Sequence, residues 1–173
     1  MKRTLLILIT VTIIGPAAMA QTRKRSTATK PKSTATAATQ KSGEVRTAGA
    51  TRVAEQIKYL TRFIYLLGGA TSNIAAVDES VKRNQTSPEV AAQNQQAKER
   101  VRGNITGFRE ALDKLEIDFR GTPELQPYYI KLAGVAAGAA TAEQQAGTSQ
   151  FDAAGRSLLN VVNRLTDVLL AMR

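Results

Sequence analysis

Beyond Val53, apolar side chains recur at alternating spacings of three and four almost to the end of the chain, and nowhere with the period of two that a half-buried strand requires. This pattern restricts the chain to helices that each bury one face. The first stripe is Ile57, Leu60, Ile64, Leu67, Thr71, Ile74, Asp78 and Val81. The second is Val90, Asn94, Ala97, Val101, Ile105, Phe108, Leu112, Leu115 and Phe119. The last is Phe151, Gly155, Leu158, Val162, Leu165, Leu169 and Met172.

The punctuation between stripes has a physical reading. Ser87 suits an N-cap, Pro88 the first helical position, and Glu89 the positive end of the helix dipole. Gly121 is expected to cap the end of that helix. Thr122-Pro123-Glu124 repeats the start signal, but the missing N–H of Pro127 delays the main third helix to about Gln126. That helix is rich in Ala and Gly from Leu132 to Thr141 and ends at Gly147-Thr148-Ser149, where Ser149 with Asp152 resembles a capping box for the fourth. Short connections imply antiparallel neighbours. The expected fold is therefore all-α: an antiparallel up-down-up-down four-helix bundle over residues 47–173, preceded by a disordered basic tail.

The N-terminus predicts export. Lys2 and Arg3, the run from Leu5 to Ile14 and the small-x-small site Ala18-Met19-Ala20 form the three parts of a secretory signal over residues 1–20. The run is well short of the ~20 residues that cross a bilayer. A retained anchor is the competing reading, favoured only by Arg23-Lys24-Arg25 just after the cleavage site. The expected location is periplasmic or extracellular.

Of the formal net charge of +10, most lies near the N-terminus. Arg23, Lys24, Arg25, Lys30, Lys32 and Lys41 face no acidic residue before Glu44, whereas Glu44 to Arg173 has 16 basic and 14 acidic residues. Residues 21–46 are rich in Thr, Ala and Lys and too poor in large apolar side chains to offset their ordering entropy. They read as a solvated spacer or as an arm that touches an anionic membrane or cell-wall polymer, rather than nucleic acid.

Glycine inside a helix costs roughly 1 kcal/mol against Ala. Gly68, Gly69, Gly103, Gly107, Gly134 and Gly138 fall near the midpoints of the first three helices. They are expected to share one level, either as a closely packed waist or as the lining of a small-ligand pocket.

The chain has no His and no Cys, so His-ligated haem and zinc, disulfides and thiolate chemistry are excluded. Glu110, Asp113, Glu116 and Asp118 read as a solvated helix face. No cofactor or metal is expected, nor catalysis. The apolar face of the fourth helix is wider than one packing seam needs, and Leu159, Val162 and Leu170 are its expected docking residues for a protein partner or another copy. The alternative is a carrier that uses the glycine level as its pocket.

Overall fold

The computed structural model describes residues 33–173, with side chains from Thr39 onward. All regular structure there is helical: α1 (Ser33–Lys82), α2 (Pro88–Gly121), α3 (Gln126–Leu132), α4 (Val135–Gly147) and α5 (Phe151–Ala171). Helices α1, α2 and α5 carry the three expected stripes. The short α3 leads into α4 where a single third helix is expected. The expected signal segment, residues 1–20, and the tail as far as Lys32 lie outside the described residues. No helix among the described residues is long and apolar enough to cross a membrane.

Helix α1 packs on α2 and α5, and α4 packs on the same two helices; α3 also touches α2 and α5. Between them Leu60, Ile105, Leu112, Phe119, Leu158 and Leu165 are fully buried. Helix α4 contributes Val135, Ala139, Ala142 and Ala146, all fully buried. Such small side chains let the α4 backbone come close to its neighbours. A Cβ on Gly138 would lie 2.8 Å from Val161 Cγ2, so this glycine is required by the close approach of α4 to α5.

Polar contacts fix how the helices align. The Arg52 guanidinium, early in α1, pairs with the Asp118 carboxylate late in α2. At the other end of the same pair, Asp78 Oδ1 accepts from Asn94 Nδ2 at 2.8 Å and from Lys98 Nζ at 2.6 Å. Glu143 on α4 accepts from Thr106 Oγ1 at 2.6 Å and pairs with Arg109 Nε at 2.7 Å. Ser157 Oγ on α5 donates to Gln145 Oε1 on α4 at 2.8 Å.

Four local expectations are corrected. Residues 33–46, placed in an unstructured tail by composition, form the first turns of α1. Adding turns to an existing helix avoids the cost of nucleation, and Val45 packs against the core. Second, the third helix is split at Ala133-Gly134. Gly134 has φ +89°, a left-handed conformation that suits a residue without a Cβ. Third, Gly121 stays inside α2, and Thr122 is the C-cap, its N–H donating to Asp118 O. Fourth, Gln150 and not Ser149 is the N-cap of α5. The Ser149 hydroxyl instead accepts from Arg102 Nη2 at 3.1 Å. The Ser87 cap is as expected, its hydroxyl accepting from Val90 N at 3.4 Å.

Candidate functional site

The outer side of α5 is the expected docking face, and the structure divides its three residues. Leu159 and Leu170 are about half exposed, at 49% and 54%. They lie on one face of the helix, about three turns apart. Val162 is turned further inward and packs against the core, so it belongs to the seam more than to the surface. Leu159 borders a shallow hollow of ≈ 260 Å³ between α1 and α5, with Ile64, Gly68, Phe151 and Gly155.

Leu170 borders a larger hollow of ≈ 550 Å³ between α3 and α5. Its other lining residues are Ile130, Lys131, Arg164, Asp167 and Ala171. Ile130 is 81% exposed, an unusual position for so large an apolar side chain. Local geometry puts it there. Pro127 starts α3 beside its N-terminus, and the left-handed Gly134 stops it after Leu132, so α3 is only two turns long. With Leu132 buried, the residues just before it face outward.

Arg164 ties this hollow to the rest of the chain. Its Nη2 donates to Ala133 O at 2.8 Å and its Nη1 to Gly134 O at 3.3 Å. The Ala133 carbonyl lies just past the end of α3, where the guanidinium complements the negative end of the helix dipole; the Gly134 carbonyl also accepts the Gly138 N–H that opens α4. Lys131 and Asp167 line the same hollow, and neither has a hydrogen-bond or ion-pair partner among the described residues.

Sequence reasoning missed Ile130 and Lys131 because they fall on no stripe. The available signal was Gly134 two residues after Leu132, which reads as a helix stop. It also missed Tyr59, Tyr65 and Leu66 on α1, which are 55%, 83% and 60% exposed.

The six glycines do not meet at one packed level. A Cβ on Gly68, Gly69, Gly103 or Gly107 would have nothing within 4 Å. Those four face outward, because the stripe residues beside them turn the opposite side of each helix to the core. Only Gly134 and Gly138 face another helix, and both face α5. A close approach in the first half of α1 comes from Gly49, where a Cβ would lie 2.7 Å from Leu125 Cδ2.

Of the basic residues expected to touch an anionic surface, Arg23, Lys24, Arg25, Lys30 and Lys32 lie outside the described residues, and Lys41 is exposed on α1. Among the acidic residues of α2, Glu110 and Asp113 are exposed, Asp118 pairs with Arg52, and Glu116 accepts from the Ala136 N–H of α4. Among the described residues no three acidic side chains are grouped to hold a metal ion. No family model, curated protein or solved structure matches the chain.

Proposed function

We propose that this chain is an exported, non-catalytic binding or structural module that docks a partner, or a further copy of itself, through the α3–α5 side. In this reading the helices form an antiparallel up-down-up-down bundle, with α3 and α4 sharing the third position. The end-to-end pairings support it: Arg52 with Asp118, and Lys98 with Asp78.

The observation that carries the docking reading is the exposure of Ile130 and Leu170 around one hollow that also holds Lys131 and Asp167, whose side chains have no partner among the described residues. Large apolar residues left exposed around a concavity with a few charges are the usual anatomy of a binding surface. The experiment is a photo-crosslinker placed at Leu170, compared with one placed at Gly103 on the outer face of α2. Adducts to a partner or to a second copy are expected from position 170 only. Adducts from neither position, or equally from both, would remove the docking reading.

A further inference from the structure

The hollow between α3 and α5 has a property that a surface for a foreign partner does not need. An interface built on a two-fold axis uses the same patch twice, so the patch must contain both members of every complementary pair. This one does. Ile130, 81% exposed, is a projecting apolar side chain beside a concavity of ≈ 550 Å³ with Leu170 and Ala171 in its lining. Among the described residues the Lys131 ammonium and the Asp167 carboxylate have no partner, and they share that lining without pairing with each other. Arg164 is held on the carbonyls of Ala133 and Gly134, whereas Lys131 and Asp167, the other charges lining this hollow, are not held in this way by any described residue.

We infer that the occupant of this hollow is a second copy of the chain, related by a two-fold axis. Ile130 of each protomer enters the hollow of the other. Lys131 of each pairs with the partner's Asp167, so that two ion pairs flank two inserted isoleucines. The apolar insertion supplies the attraction, and the charges set register and exclude other partners.

The inference rests on the docking reading above, and the test separates the two. The full chain is examined by sedimentation from about 1 µM to about 1 mM, which covers dimers held by about 4–8 kcal/mol. Lys131→Glu alone places two carboxylates opposite each other at each contact, and Asp167→Lys alone places two ammonium groups there. Each is expected to weaken dimerisation by about tenfold or more. An equimolar mixture of the two variants restores both ion pairs in the heterodimer, so it is expected to dimerise like the parent. Both positions are on the surface, and helical content by circular dichroism serves as the folding control. Ile130→Asp is the second variant, with the loss of dimer expected even at low salt. A chain that is monomeric throughout, or a dimer unaffected by these substitutions, overturns the two-fold pairing. So do single variants whose mixture fails to recover. In any of these cases a crosslink from position 170 to a different protein would leave the docking reading standing.

Discussion

Glu116 on α2 accepts a hydrogen bond from the Ala136 N–H in the first turn of α4, at 2.7 Å. At the other end of α4, Arg102 of the same helix donates through Nε to Ala146 O at 3.0 Å. A carboxylate thus sits at the positive end of α4 and a guanidinium at its negative end, both supplied by α2.

Removing either clamp should cost stability without unfolding the rest. Glu116→Ala and Arg102→Met are each expected to destabilise by about 1–2 kcal/mol, from the lost charged hydrogen bond and the helix terminus left unsatisfied. Urea unfolding curves with unchanged slope provide the check. A loss below about 0.3 kcal/mol in both would mean that water replaces the clamps at no cost.

The glycines should divide into two classes. Gly103→Ala and Gly107→Ala add a methyl group in open space on a helix interior, so each should stabilise by about 0.5–1 kcal/mol. Gly138→Ala puts a carbon against the buried, β-branched Val161, and should destabilise by about 1–3 kcal/mol. Thermal melts of the three variants decide the matter, and the same sign for all three would contradict the packing described.

This division shows how far the sequence was legible. Periodicity located the buried faces of α1, α2 and α5, because Leu60, Ile105 and Leu158 repeat at the spacing of the core they enter. The Ser87-Pro88 start was legible because capping is local chemistry. The facing of glycines was not, since a residue without a side chain leaves no mark on an apolar pattern. Nor was Ile130, which is exposed by a helix too short to have a period. Ser149 is not the cap because it has φ +61° in the turn that closes α4, where its N–H donates to Ala146 O, whereas an N-cap is extended.

The Asp78 carboxylate joins Asn94 and Lys98, and the Lys98 side chain is only 14% exposed. Asp78→Ala leaves a mostly buried ammonium group without its acceptor, while the Asn94 amide keeps only its longer bond to Ile74 O at 3.4 Å. A loss of about 2–4 kcal/mol is expected, larger than from Lys98→Met, which removes the cation as well. A double-mutant cycle on Asp78 and Lys98 measures the coupling, and additive effects would show that the pair contributes nothing as a unit.

Acid should weaken the start of α2. Its own backbone N–H and the Ser87 hydroxyl hold the Glu89 carboxyl below the ordinary carboxylate pKa. A group with a lowered folded pKa adds stability that is present above its unfolded pKa and lost as pH falls through the folded one. Glu89→Gln should therefore lower the melting temperature at about pH 7 and leave it unchanged at about pH 2. An equal difference at both would assign the effect to something other than charge.

A fragment of residues 44–173 keeps Val45 and the close contact of Gly49 with Leu125, and should melt like the longer chain. On anionic vesicles only the chain with Arg23, Lys24, Arg25, Lys30, Lys32 and Lys41 should bind, and that binding should fall steeply with salt. Equal binding by the two would leave the basic segment as a spacer.

The small residues of α4 have a consequence for the order of assembly. Ala139, Ala142 and Ala146 offer little surface of their own, and the groups that finish the ends of α4, Glu116 and Arg102, are remote in sequence. Helix α4 is therefore expected to hold its shape only once α2 and α5 have met. Amide protons in α4 should exchange in a single event with the whole molecule if the groove between α2 and α5 never opens, and ahead of it if α4 can leave alone. In the second case the short α3, joined to α4 through Ala133 and Gly134, would leave with it, and the surface carrying Ile130 would dissolve before the rest of the protein unfolds.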